Sequence, residues 1–504
     1  MKKVFVLLGV LCALCFLACS NFQLAGGEAG VVSLAIGDDL ASEIRSAASS
    51  RSIASGTSYT VTGVLSGEYS AESSVTVDSG ALAGATISFE NVPVGMSVTL
   101  NLSVQVDNNL VWIGNSETHV VTAGTNSLDI ALGRVSGVLM WDSFEVKIAP
   151  YGNYDTSSID LNSYGSYLSW AFDKKGNIYL YVDDENGAQR YDVQPDGSYN
   201  ASGVFYGAPP FYAFTHDATT DILYGIGDEG SLKYWSNAGG EGKDITSSDG
   251  SPFFDSTPPL GFVVHDNILY IAQVGITEGM NGELFLSLVK YDLSQENISI
   301  KTGDEMSNYQ LKDLFGTSQY SVTGQMIYHE GSLYLLLNRV SIDPMSVGNE
   351  SPESYSLGAV LKINPNTLIL DTSFGSDGYL GLASYQTRIS EIDNESIEEQ
   401  YNVSGGTVVY HGPTSSNDAS VFYGPQGFVA IMPKKLVIAD AGFTMSKSST
   451  LENKVQFTKK SRIITVDLET LAFETVDVNG SYYQPSITST SSGYEYIEQE
   501  ETSS

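Results

Sequence analysis

A unit of apolar strand, polar turn and tyrosine-bearing strand recurs along this chain. The copies are Trp170 to Tyr179, with Asp173 in the turn; Ala213 to Tyr224, with His216; and Phe262 to Tyr270, with His265. Two more are Met326 to Tyr334, with His329, and the degenerate Val429 to Val437. Tyr179, Tyr224 and Tyr270 are 45 and 46 residues apart. Each copy is too short to bury an apolar face alone, so copies must stack, and a period of this length is that of the blades of a β-propeller. Each copy also has a downstream partner strand: 189–193, 232–234, 288–293, 359–364 and 462–468.

Tyr334 and Val437 are 103 residues apart, which leaves room for an insertion or a further blade. The stretch 137–149 is expected to close the ring by pairing with the last blade. Five to seven blades are therefore expected over residues 135–485. The run Asp173-Lys174-Lys175-Gly176-Asn177-Ile178-Tyr179 resembles the D-x-x-G-N-I-Y blade motif of NHL and YWTD-like propellers. That resemblance implies a fold and no particular activity. Asp371 to Tyr379 resembles a segment between strands of some bacterial propeller-like repeats.

Upstream the texture differs. From Val98 to Val106 apolar and polar residues alternate perfectly, as in a strand with one buried face. Candidate strands at 58–65, 73–78, 85–90, 118–122 and 126–132, separated by turn residues, make a small β-sandwich over 57–134, or from near 31. The run Phe89-Glu90-Asn91-Val92-Pro93-Val94-Gly95 resembles a segment of transthyretin-like and carboxypeptidase-regulatory-like sandwich domains, in which a Pro-Gly turn feeds a long strand. Residues 41–58, rich in Ala and Ser, read as a short helix or a loop.

Residues 1–18 form a secretion signal: Lys2 and Lys3 precede an apolar run from Val4 to Ala18. That run is shorter than the roughly 20 residues of a permanent membrane helix. Phe16-Leu17-Ala18-Cys19 resembles a relaxed lipobox of bacterial lipoproteins, which implies cleavage before Cys19 and its lipidation with acyl chains such as palmitate. Such chains stabilise membrane attachment by about 0.8 kcal/mol per buried methylene. The three cysteines, Cys12, Cys15 and Cys19, all lie here, so the remainder of the sequence can form no disulfide and has no thiolate nucleophile. By the same resemblance, Ser20 in place of Asp argues against retention at the inner membrane. An outer-membrane address in the cell envelope, on the periplasmic or the surface face, is expected.

With 24 Lys plus Arg against 59 Asp plus Glu, the formal charge is -35, so a nucleic-acid partner is excluded on electrostatic grounds. Residues 19–56 read as a lipidated tether and linker, and the acidic stretch 486–504 as disordered.

His216, His265 and His329 fall near corresponding turns, where side-chain caps account for polar residues, and neither a metal nor a cofactor is expected. Asp183, Asp228 and Asp440 follow the repeat aromatic position at the ends of second strands, with Gln273 and Asn338 in comparable places. Carboxylates gathered there could bind a cation, or act as acid and base on a glycoside. A solvated rim explains the same positions. Tyr151, Tyr154, Tyr164 and Tyr167 could offer a stacking surface, or simply fill strands. Asp183-Asp184-Glu185-Asn186-Gly187 lacks the ligand spacing of a calcium loop. No nucleophile elbow, zinc-protease, P-loop or dinucleotide motif occurs in a suitable context.

The expectation is an all-β protein, a small N-terminal sandwich followed by a propeller. It would be held at a membrane by lipid and bind a protein or glycan without catalysis. A secreted propeller glycosidase or lyase, and an envelope-assembly scaffold, are the alternatives.

Overall fold

The computed structural model describes residues 29–36 and most of 58–478. Outside it lie 1–28, 37–57, 479–504 and segments between strands, the longest being 246–258, 295–305, 311–321, 340–357 and 393–407. The signal, Cys19, the possible helix at 41–58, Asp228, Tyr164, Tyr167 and the acidic stretch 486–504 fall outside the described residues. Every described element is a strand. The chain divides into two units, Met1–Gly133 and Arg134–Ser504.

In the first unit, Ser97–Val106 pairs with both Ser58–Gly67 and Asn109–Asn115, and Ser58–Gly67 pairs on its other side with Ala71–Asp78. A second sheet places Ala29–Ala35 between Thr86–Pro93, antiparallel, and Gly124–Ser127, parallel. The alternation in Ser97–Val106 is realised: Val98, Leu100, Leu102, Val104 and Val106 are all buried. They share one core with Val32 and Leu34 of the second sheet, and with Phe89 and Val92. Residues 29–35 therefore belong to this unit rather than to a tether, because Val32 and Leu34 supply part of its core.

The second unit is a β-propeller. Blade two is Trp170–Phe172, Ile178–Asp183, Gly187–Val193 and Tyr199–Tyr206, each strand antiparallel to the next. Blade three is Ala213–Asp217, Ile222–Ile226, Leu232–Ser236 and Lys243–Ile245. Blade four is Gly261–His265, Ile268–Ile276, Leu284–Asp292 and Met306–Gln310. Blade five is Val322–His329, Ser332–Arg339, Gly358–Ile363 and Tyr379–Leu380. Blade six is Pro425–Met432, Lys435–Asp440, Arg462–Asp467 and Phe473–Asp477. The expected partner strands are the third strands of these blades.

The sequence led to the expectation that 137–149 pairs with the last blade, and instead its strands form a sheet of their own. Val138–Trp141 and Glu145–Ala149 pair with each other, Ile159–Asn162 adds to the latter, and this three-stranded sheet is blade one. Among the described residues the ring thus has six sheets. Between blades five and six, Tyr385–Ile392 and Val408–Pro413 form a hairpin, so the 103-residue interval holds an insertion.

Blade faces are covered on both sides, which is why strands such as Ser332–Arg339 and Lys435–Asp440 read as nearly continuous apolar runs. Separate cores lie between blades two and three, three and four, four and five, and five and six. First strands of consecutive blades from two to six pack side by side, and Val138–Trp141 packs on Pro425–Met432. At the closure, Ser136 N donates to Ile431 O at 2.9 Å, and Ile431 N donates to Ser136 Oγ at 2.8 Å. Trp170 of blade two reaches blade six, donating from Nε1 to Phe428 O at 2.8 Å. A Cβ on Gly427 would lie 2.5 Å from the Trp170 ring, so a glycine is required for this approach.

Candidate functional site

Antiparallel pairing gives each blade two ends: the turn end, where strand one passes into strand two, and the opposite end, where strand two stops and the next blade begins. The sequence candidates divide between them.

At the turn end the reverse turns are tight. Asp266 and Asn267, with φ of 52° and 59°, join His265 to its partner Ile268, the left-handed pair that a two-residue hairpin turn demands. Asp173 organises the first turn: its Oδ1 accepts from Lys175 N and Asn177 N at 2.8 and 2.9 Å, and its Oδ2 from Asn177 Nδ2 at 2.8 Å. Burial raises the carboxyl pKa above its ordinary value, opposed by the nearby His216 and these donors.

The three histidines do not converge. His216 stacks on Tyr179 of blade two, with ring centroids 5.2 Å apart, and its Nε2 lies 3.1 Å from Asp221 Oδ1. Its Nδ1 is buried with no hydrogen-bond partner, and burial lowers the imidazole pKa. His265 stacks on Tyr328 of blade five at 3.6 Å. The His329 Nε2 is buried with no hydrogen-bond partner, and burial lowers this imidazole pKa also, opposed by Glu330 and by backbone groups of Met432 and Lys435 in blade six. Carboxylates make similar joints. Asp217 accepts from Asp266 N and Asn267 N of blade four, both at 3.3 Å, and Glu330 accepts from Lys434 N of blade six at 3.1 Å. The turn end is a circle of contacts between neighbouring blades. Among the described residues no group of three His, Cys, Asp or Glu could hold a metal ion.

At the opposite end, Asp183 closes the second strand of blade two, opposite Gly187, and Gln273 is half-buried in blade four. Asn338 is buried in blade five, its Oδ1 without a hydrogen-bond partner. Asp440 is fully buried, and its Oδ2 accepts from Arg462 Nε at 2.8 Å. Arg462 Nη2 also donates to Val421 O at 2.5 Å. One guanidinium thus ties the second strand of blade six to the end of the insertion that precedes that blade. Asp183 and Asp440 close the second strands of two different blades, two and six.

Sequence reasoning missed what stands on this end of blade six. Beyond Asp440 and Arg462, the hairpin Phe443–Lys447 and Val455–Lys459 continues the pairing: Asp440 opposes Arg462, Phe443 opposes Lys459 and Lys447 opposes Val455, all in one register. Strands two and three of this blade run on as a two-stranded arm. The available signal was the absence of any proline between Pro433 and Pro485. Of the four tyrosines, the two that are described turn inward: Tyr154 is buried, and the half-buried Tyr151 has its Oη 2.9 Å from Thr465 Oγ1 of blade six.

The family model described as the TdpA C-terminal domain matches residues 376–491, which take in the inserted hairpin, blade six and its arm. No curated protein matches the chain. Among solved structures, a structural genomics protein of unknown function from Bacteroides thetaiotaomicron is similar at 13% identity, over 84% of this chain and 80% of that one, with a TM-score of 0.34. A chain of a nidogen/laminin complex is similar at 10% identity, over 70% of this chain and 94% of that one, with a TM-score of 0.30. Streptogramin B lyase follows at 8% identity, over 62% and 83%, with a TM-score of 0.26.

Proposed function

We infer that the protein is a lipid-anchored envelope protein whose propeller binds a protein or glycan ligand without catalysis. The observation that carries this reading is how the polar residues are used. The Asp440 carboxylate is closed in an ion pair, and His216, His265 and His329 join blades. The longest insertions instead stand on the end opposite the turns, in blades five and six. A rigid ring that presents long connections on one end suits recognition.

In the same reading, Cys19 carries the lipid and the two N-terminal sheets form a small sandwich between anchor and propeller. The envelope face that the propeller occupies is tested by proteolysis of intact cells, with a periplasmic protein as internal control. Digestion of the propeller on intact cells places it outside, and binding of the full chain to glycan and matrix-protein arrays then identifies the ligand. Turnover of a glycan by the full chain, abolished by Asp183→Asn, would overturn the non-catalytic reading in favour of a propeller glycosidase or lyase.

A further inference from the structure

The sheets of the ring are not joined alike. Blades six, one and two are held together by neutral groups. Ser136 and Ile431 exchange two hydrogen bonds, at 2.9 and 2.8 Å. Gly137 N donates to Tyr199 Oη at 2.6 Å, and Tyr199 Oη donates to Gly176 O at 3.1 Å. Trp170 adds its bond to Phe428 O. Blades three, four and five form a second group. Asp217 joins three to four through Asp266 N and Asn267 N, and His265 joins four to five by stacking on Tyr328. The His265 side chain is 23% exposed, so a charge on it stays in contact with water.

The two boundaries between these groups each hold a buried imidazole nitrogen. Between blades two and three, the His216 side chain is 2% exposed and lies against Tyr179, and its Nδ1 has no hydrogen-bond partner among the described residues. Between blades five and six, His329 Nε2 is buried in the same way, beside the bond from Lys434 N to Glu330. A second proton on either ring would place a charged N–H at that buried nitrogen, and burying a charge without a hydrogen bond is costly. Asp173 of blade two, and Asp217 and Asp221 of blade three, face His216, with Arg190 bonded to Tyr179. Glu330 and Tyr334 of blade five face His329, with Lys434 and Lys435 across the boundary. The carboxylates offset part of the cost, and burial still lowers both imidazoles.

We propose that the His216 and His329 joints are paired acid-sensitive hinges, at which protonation parts the turn end of the ring between blades three, four and five and blades six, one and two. Other contacts keep the halves attached. At the outer edge of the first hinge, Tyr199–Tyr206 of blade two pairs in parallel with Gly240–Glu241 of blade three. At the second, the apolar core around Phe422 and Phe428 lies between blades five and six. Acid therefore spreads the turn ends without unfolding the blades. Blade five lies on one side of the second hinge and blade six, with its arm, on the other, so the motion changes the spacing between them.

The inference is independent of any ligand. It is tested by backbone amide exchange on the full chain at about pH 7 and about pH 5, either side of the ordinary imidazole range, with rates corrected for the intrinsic pH dependence of exchange. Asn177 N, held by Asp173, and Lys434 N, held by Glu330, report the two hinges. Asn267 N reports the joint of blades three and four, and Ser136 N the closure on blade six. Protection at Asn177 and Lys434 is expected to fall about tenfold or more in acid, with Asn267 and Ser136 unchanged. His216→Gln is expected to abolish the response at Asn177 and leave that at Lys434, and His329→Gln to do the reverse. Protection that is the same at both pH values overturns the proposal, as does a response at one hinge alone, because a single hinge does not part a ring. A loss shared equally by Asn267 and Ser136 assigns the effect to general unfolding, and a response that survives both Gln variants assigns it to other groups. Either result also overturns it.

Discussion

Arg462 and Asp440 form a buried ion pair at the root of the arm: Nε to Oδ2 is 2.8 Å, and the two side chains are 5% and 0% exposed. Such a pair stabilises little relative to apolar packing, but breaking it strands a buried charge. Asp440→Ala is therefore expected to lower unfolding stability by about 3–5 kcal/mol, read from urea midpoints. Replacing both residues, as Asp440→Leu with Arg462→Met, is expected to recover most of that loss. A carboxylate held ready for a ligand would behave in the opposite way, since its removal would stabilise the protein.

Ring closure depends on Trp170. Its indole bonds blade six across 258 residues of sequence, and it packs where Gly427 leaves room. Trp170→Ala is expected to cost roughly 3–5 kcal/mol by leaving a cavity. Gly427→Ala is expected to cost about 1–3 kcal/mol, because the new methyl meets the Trp170 ring and Gln325 Oε1 at 2.9 Å. Thermal unfolding of the two variants checks both, and the double variant Trp170→Ala with Gly427→Ala should lose less than the sum, since the second methyl no longer meets the ring.

Period and strand order were legible in the sequence because each blade repeats one chemical pattern, and Tyr179, Tyr224 and Tyr270 mark it. The third strands were legible for the same reason. Blade one was not, since Val138–Trp141 and Glu145–Ala149 carry no such turn, and a single strand's apolar run does not reveal its partner. The positions of the histidines near their turns were readable, but their contacts with Tyr179 and Tyr328 are set by the neighbouring blade, which no local pattern encodes. Asp440 shows the limit most clearly. Its position at a strand end was readable, while the guanidinium opposite it is 22 residues away and was read only as part of a strand.

Acid should loosen the ring. Burial lowers the pKa of His216 and His329 in the folded protein, so the folded state binds fewer protons than the unfolded one. Their stabilisation is complete above the unfolded imidazole pKa of about 6.5, and is lost as pH falls from there through the lower folded values. Asp173, Asp217 and Asp221 around His216, and Glu330 beside His329, oppose the shift and limit its size. Unfolding free energy is expected to decline below about pH 6.5, and His329→Gln to decline less steeply over that range. Urea titrations at successive pH values measure both slopes, and parallel curves would remove His329 from the account.

The N-terminal unit turns on one amide. Asn126, 4% exposed, donates to Thr122 O at 2.9 Å and to Val31 O at 3.2 Å, and its Oδ1 accepts from Thr122 N at 2.9 Å. His119 Nε2 lies 2.9 Å from the same oxygen. The side chain thereby fastens Ala29–Ala35 to the turn that precedes Gly124–Ser127. Asn126→Ala leaves those buried backbone groups without partners, at about 1–3 kcal/mol for each group not reached by water. Asn126→Asp keeps the acceptor and loses the bonds to Val31 and Thr122 carbonyls. Both variants are expected to release Ala29–Ala35, seen as faster amide exchange at Val32 and Leu34, while the amides of Ile178–Asp183 in the propeller keep their rates. Unchanged exchange at Val32 and Leu34 would show that the Val32 and Leu34 core contacts hold the strand without the amide.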